Sequence, residues 1–285
     1  MGWMESLQRA IDYMEEHITE PISMEQIARQ ANVSVFHFQR TFSILTDMSV
    51  GEYLRGRRLT LAAHELSSTD NKIIDIAYKY GYDTPEAFTK AFRRQHSLTP
   101  SDARKHLGKL KSYNRLVIQV TLKGASPMKY RIVEREGFQA VGVKREFSLV
   151  DGENMSGIPK MWEEANGDGT SDSLFELNDG EIKGLLGICA GHAEEQKMDY
   201  WIGAECTGEA PEKMAEVEIP ASKWAVFEVH GAMPHAMPKV WKQIFSEWFP
   251  SNQYEQAPSP ELEVYPAGDA YKDDYYSEIW IPLKS

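Results

Sequence analysis

The chain has 285 residues, 42% apolar and 26% charged, with 20 Gly and 14 Pro. That is room for about two domains, and it excludes collagen-like, disordered and disulfide-scaffold classes. Its net charge of −12 is unevenly spread, since residues 1–124 carry 17 basic against 14 acidic side chains and the remainder 14 against 29, so a mildly basic half precedes a strongly acidic one.

The first element is a helix in which Trp3, Leu7, Ile11, Met14 and Ile18 recur at helical spacing, a pattern unlike a signal peptide. Helical periodicity then runs to about residue 106, and within it one unit occurs twice. Ile27-Ala28-Arg29-Gln30-Ala31-Asn32 returns 49 residues later as Ile76-Ala77-Tyr78-Lys79-Tyr80-Gly81, and Phe38…Phe42 returns as Phe88…Phe92. The unit reads helix, turn, helix. Asn32 and Gly81 hold the turns, being residue types that tolerate left-handed backbone. Ser34 and Thr84 cap the second helices, and Pro85 takes a first helical position.

The second helices carry the nucleic-acid argument. Over Val35–Thr46 an inner stripe of Phe38, Phe42 and Leu45 leaves Phe36, Gln39, Arg40 and Ser43 outside; over Pro85–His96 the inner residues leave Glu86, Thr89, Lys90 and Arg93 outside. Gln and Arg suit adenine and guanine edges in the major groove, and Phe suits a thymine methyl. The expected DNA-reading residues are therefore Phe36, Gln39, Arg40, Glu86, Thr89, Lys90 and Arg93. Between the copies, Val50 to Leu66 reads as a connecting helix of ~25 Å, with Arg55, Arg57 and Arg58 open to either phosphate contact or a structural role. The segment 3–106, above all Ile76-Ala77, Gly81-Tyr82, Phe88, Phe92, Thr99-Pro100 and Arg104, resembles the DNA-binding domain of the AraC/XylS family of bacterial transcription regulators. Asp47 and Ser97 depart from it, standing where the family often has glycine or another turn residue. Pro85 and Glu86 imply a second reading helix that positions more than it specifies.

Residues 109–127 read as a linker holding one candidate strand, Leu116–Leu122. Beyond it the period changes to two, and a second repeat appears with an offset of 79. Ile158-Pro159-Lys160-Met161-Trp162 matches Met237-Pro238-Lys239-Val240-Trp241, and Asp199-Tyr200-Trp201-Ile202 matches Glu278-Ile279-Trp280-Ile281. The fold class expected is an all-α double helix-turn-helix domain (1–108), then an α+β domain (128–285) of two pseudo-symmetric strand-strand-helix-strand-strand repeats. The second half, closing on Tyr276-Ser277-Glu278-Ile279-Trp280-Ile281-Pro282-Leu283, resembles the GyrI-like effector-binding domain. Strand alternation leaves Glu278 and Trp280 on one face, and Glu263 with Tyr265, and Asp199 with Trp201, are expected to join them. A carboxylate among aromatic rings suits a cationic or amphipathic ligand.

Together these readings give a cytoplasmic DNA-binding transcription regulator with a small-molecule effector site. It is expected to act on double-stranded DNA as a monomer or homodimer, with RNA polymerase a further candidate partner and no membrane. Cys189 and Cys206 are the only cysteines and no metal-ligand spacing or nucleotide fingerprint occurs, so no metal and no cofactor are expected. The chain is read as not an enzyme. The alternative is a GyrI-like hydrolase built on Glu278 and the hydroxyl of Tyr276 or Tyr265.

Overall fold

The computed structural model of the protein describes residues 3–118, 127–191 and 196–284. Its contacts form two compact units, Met1–Val35 with Met48–Thr121, and Phe36–Asp47 with Leu122–Ser285.

The first unit is helical because each apolar stripe is bracketed by start and stop residues. Helices α1 (Trp3–Glu16) and α2 (Met24–Ala31) precede α3 (Val35–Thr46), most of which belongs to the second unit; α4 (Val50–Ser68), α5 (Ile73–Lys79), α6 (Pro85–His96) and α7 (Pro100–Arg104) follow. Ser23 with Gln26, Ser49 with Glu52 and Thr99 with Asp102 close reciprocal caps at the starts of α2, α4 and α7, and Thr84 accepts from the Ala87 amide at the start of α6. Such caps satisfy amides that a helix start leaves without intrahelical partners. Asn32 and Gly81 both take positive φ, as do Asp47 and Ser97, so the last two perform the backbone task for which glycine is frequent. Leu59, Leu66, Ile76, Ala77, Phe88 and Phe92 form a core shared by α4, α5 and α6. Glu15 accepts from Arg57 and from the Tyr53 hydroxyl at 2.6–2.8 Å, tying α1 to α4. Arg58 donates to the carbonyls of Ile18 and Glu20. Both arginines therefore have structural work. Of the strand expected at Leu116–Leu122, residues 116–118 are irregular and the rest lies outside the described residues.

The second unit is built on one antiparallel eight-stranded sheet with the order β1-β6-β8-β7-β3-β4-β2-β5. Its strands are β1 (Tyr130–Arg135), β2 (Phe138–Ser148), β3 (Leu185–Gly191), β4 (Lys197–Glu205), β5 (Ala215–Ile219), β6 (Ser222–His230), β7 (Glu261–Tyr265) and β8 (Tyr276–Leu283). Helices α8 (Glu153–Gly167) and α9 (Thr170–Leu177) follow β2, while α10 (Ala236–Gln243), a π-helical turn (Ile244–Trp248) and the short α11 (Phe249–Ser251) follow β6. Exchanging β1–β4 with β5–β8 reverses the strand order onto itself, as a two-fold repeat requires. Each repeat sends its first strand to the other, β1 pairing with β6 and β5 with β2, and the halves meet where Leu185–Cys189 pairs with Glu261–Tyr265.

Both faces of the sheet are buried along its central strands, while the outer strands β1 and β5 are largely exposed. Met161, Ala165 and Leu174 of α8 and α9 pack with Leu185, Cys189, Tyr200 and Ile202 on one face. On the other, Phe138, Ile188, Trp201, Trp224, Leu262 and Trp280 share a cluster with no helical residue in it. That cluster draws on β2 and β6, distant in the strand order, so the sheet curves around it. Glycine at 142 is demanded by close approach, because a Cβ there would lie 2.2 Å from the Ile202 carbonyl oxygen.

Candidate effector site and DNA-reading helices

On α6 the stripe of Phe88 and Phe92 is buried, and Glu86, Lys90 and Arg93 are exposed with Thr89 half-buried. With Pro85 these four line one open surface depression. Helix α3 differs from expectation. Phe36, Gln39 and Arg40 retain only 6%, 1% and 8% of their exposure, and Ser43 is buried too. The outer face foreseen for this helix is covered by the sheet of the second unit, where Phe36 joins the core of Met198 and Tyr200. The Arg40 guanidinium pairs with buried Glu261 of β7 and lies 4.7 Å from the centre of the Trp241 ring.

The strand register divides the expected effector residues. Leu262 pairs with Trp280 and Ile188 with Trp201, so Trp280, Glu278, Trp201 and Asp199 share the helix-free face; Glu263 pairs with Ile279 and Gly187, which puts Glu263 and Tyr265 on the helix-covered face. The expected single face gathering all six is thus corrected to two. The cause is one residue of parity: Leu262 and Val264 are apolar but point away from the helices, because the opposite face is equally buried.

On the helix-free face the carboxylates already have cations. Arg131 donates to both oxygens of Glu278 at 2.8 and 3.1 Å, the Trp280 indole donates at 2.7 Å, and the Tyr276 hydroxyl completes the set. Burial pushes the Glu278 carboxyl up, but these hydrogen bonds and the Arg131 charge outweigh it and hold it below its ordinary value. Lys144 lies 3.1 Å from Asp199 and 5.7 Å from the Trp201 ring centre, while Arg131 stands 5.8 Å from that of Trp280. The carboxylates and tryptophans of the two sites are counterparts in the repeat, while the cations come from different strands, Arg131 from β1 and Lys144 from β2. Each site is a closed carboxylate–cation–tryptophan group, unlike the carboxylate awaiting a cation that the sequence suggested.

Glu263 is held differently. Its Oε2 accepts from the hydroxyls of Tyr200 and Tyr265 at 3.1 and 3.0 Å, and its Oε1 from the Trp241 indole at 2.7 Å. Trp162 donates to the Tyr200 hydroxyl at 2.8 Å and meets the Tyr265 ring edge-on at 4.9 Å. Burial, then the charge of Glu263, push both tyrosine hydroxyls well above their ordinary value, so they stay protonated donors. Among the described residues no lysine or arginine is paired with Glu263, its donors being neutral and aromatic. Gly187 leaves the space, since a Cβ there would lie 2.4 Å from the Tyr200 hydroxyl and 3.0 Å from Glu263 Oε2. Trp162, Tyr200, Trp241 and Glu261 were absent from the expected set, although the 79-residue repeat does place Trp162 and Trp241 at equivalent positions on α8 and α10.

Two family models match this chain, a helix-turn-helix domain over residues 27–106 and the integron-associated effector binding protein, Cass2, over residues 131–283. The regulatory protein SoxS of Escherichia coli K12 is 39% identical over 107 residues, which are 38% of this chain and all of SoxS. The chain belongs to the AraC family of transcription regulators. Its second half is an effector-binding domain of the Cass2, GyrI-like kind. The regulator Rob of Salmonella typhimurium is 39% identical over 89 residues, 31% of this regulator and 31% of Rob. Among solved structures, that of SAV2435 bound to tetraphenylphosphonium has a TM-score of 0.51 and 26% identity, covering 55% of this regulator and 95% of SAV2435. The regulator is thus a DNA-binding protein with an effector domain, and no helix among its described residues is long and apolar enough to cross a membrane.

Proposed function

We propose that the regulator responds to a lipophilic, aromatic cation bound at Glu263. The observation that carries this reading is the contrast between carboxylates in one sheet: Glu278 and Asp199 each hold an internal cation, whereas Glu263 accepts only from Tyr200, Tyr265 and Trp241. A delocalised cation exchanges little hydration for contact with aromatic faces, and the carboxylate supplies the opposite charge at close range. Support also comes from SAV2435, whose bound tetraphenylphosphonium is an aromatic cation of this class. Operator reading falls to Phe36, Gln39 and Arg40 of α3 together with Glu86, Thr89, Lys90 and Arg93 of α6.

Titration of the full chain with tetraphenylphosphonium, followed by tryptophan fluorescence, tests the reading, with tetraphenylborate as an anion of the same shape. The phosphonium should bind and the borate should not. Glu263→Gln should weaken the phosphonium by about 1–3 kcal/mol, the scale of a charged contact, or ~5- to 150-fold. Equal binding of cation and anion, or an unaffected Glu263→Gln chain, would contradict it.

A further inference from the structure

We propose that Arg40 is the resident cation of the effector domain, so that the first reading helix is locked onto the sheet and an incoming cation releases it to DNA. This rests on the placement of the effector at Glu263. Arg40 and Glu263 share one wall: the guanidinium lies over the Trp241 ring, and the indole N–H of the same ring donates to Glu263. The anchor of Arg40 is Glu261, two residues before Glu263 on β7 and on the same face of the sheet. An aromatic cation settling against Trp241 competes with the guanidinium for that ring and adds positive charge beside it.

The lock covers what DNA would need. Phe36, Gln39 and Arg40 are the three α3 side chains suited to base edges, and all are buried, so in this conformation they are withheld from the major groove. Phe36 is seated at Gly191, where its ring lies 2.0 Å from the position a Cβ would take; only glycine there admits it. The seat is also imperfect. Both polar atoms of the Gln39 amide are buried without a hydrogen-bond partner, a cost that water or an adenine edge would remove. A contact that satisfies Arg40 but strands Gln39 is suited to being displaced. The effector and the operator then both favour the released helix, and each must raise the affinity of the other by the same factor.

The test uses the full chain, tetraphenylphosphonium, and a duplex selected from a random pool in its presence. Wild type should bind this duplex at least ~5-fold more tightly with saturating phosphonium than without, the lower end of ordinary coupling. Glu261→Gln and Gly191→Ala, which alter the seat and neither the base-reading residues nor Glu263, should bind DNA more tightly without phosphonium and gain less from it. Arg40→Ala, measured without DNA, should bind phosphonium more tightly than wild type because its competitor is gone. Unchanged DNA affinity in both seat variants, with far-UV circular dichroism and melting as in wild type, overturns the lock whatever the phosphonium does. Phosphonium binding that depends on Glu263 but shifts neither DNA affinity nor the Arg40→Ala titration overturns the lock alone and leaves the effector site standing. Absence of phosphonium binding removes the effector site, and the seat variants still decide the lock.

Discussion

Replacing Glu278 by glutamine should damage the fold and spare the ligand. The wild-type carboxylate accepts from four donors, two on Arg131, one on Tyr276 and one on Trp280. Glutamine keeps the shape but offers one oxygen and an NH2 group, so turned one way it opposes the Trp280 indole and an Arg131 N–H, and turned the other it opposes an Arg131 N–H while the Tyr276 hydroxyl rotates to accept. Stranding a buried donor costs ~1–3 kcal/mol, and a charge-assisted bond contributes ~1.5–3 kcal/mol. The Arg131 share must be discounted, because that side chain is 47% exposed and its charge is screened by water. The net loss expected is about 2–4 kcal/mol, or a fall of ~5–15 °C in the melting of the C-terminal half at ~2–4 °C per kcal/mol. A pH signature accompanies it. The folded carboxyl lies below its ordinary value, so the stabilisation is complete above an unfolded pKa of ~4.3 and drains away as pH falls through the folded value. The gap between wild type and Glu278→Gln should therefore be widest near neutrality and narrow below about pH 4. Differential scanning calorimetry from pH 3 to 8 measures both quantities. Unchanged melting with weakened phosphonium binding would refute this reasoning and return Glu278 to the effector site.

Three further outcomes follow from the geometry. Gly187→Ala should weaken tetraphenylphosphonium at least ~10-fold, because the new methyl displaces the Tyr200 hydroxyl from Glu263; fluorescence titration checks it. Arg57→Ala should cost the N-terminal region ~2–4 kcal/mol in urea denaturation, since Glu15 is left buried with one donor, while DNA affinity per folded molecule holds. Lost DNA affinity at unchanged stability would make Arg57 a phosphate contact instead. Lys90→Ala and Arg93→Ala should each lower the slope of log affinity against log salt by about 1 if they touch phosphate, as filter binding across a salt series would show.

The helical half was legible in the sequence because its signals are local. Apolar residues recur every three or four positions, Asn32 and Gly81 mark the turns, and Thr84-Pro85 starts a helix, so both units could be placed without knowing what they pack on. The sheet repeat was legible for the same reason, since Trp162 and Trp241 recur in matching surroundings. Which strand face meets the helices was not. In β7 and β8 both faces are buried, and the choice between Leu262 and Glu263 is set by curvature of the whole sheet. The fate of α3 lay further out of reach. Its outer face of Phe36, Gln39 and Arg40 is what a groove-reading helix would show, and nothing near it in sequence points to Glu261, 221 residues away.

The exchange of first strands between the two repeats fixes how this domain can be assembled. Neither half can complete its own layer: separated, each would keep three consecutive strands in pairing order and present an unpaired edge at both sides of them. The halves are therefore obligate neighbours, and a chain cut in the 206–214 connection should behave as two fragments that regain structure only on mixing. A chain with one repeat could build the whole sheet from two copies, with identical walls of tryptophan facing each other across the seam. Within one chain the two walls can differ, and here they do: Tyr200 has Ile279 as its repeat counterpart, and Asp199 has Glu278. A symmetric dimer would have to bind its ligand in two equivalent orientations or on its axis. A single chain with unlike walls is free of that constraint: Glu263 and the two tyrosine hydroxyls it accepts from form one group, so a molecule meeting it would be held in one orientation, off centre.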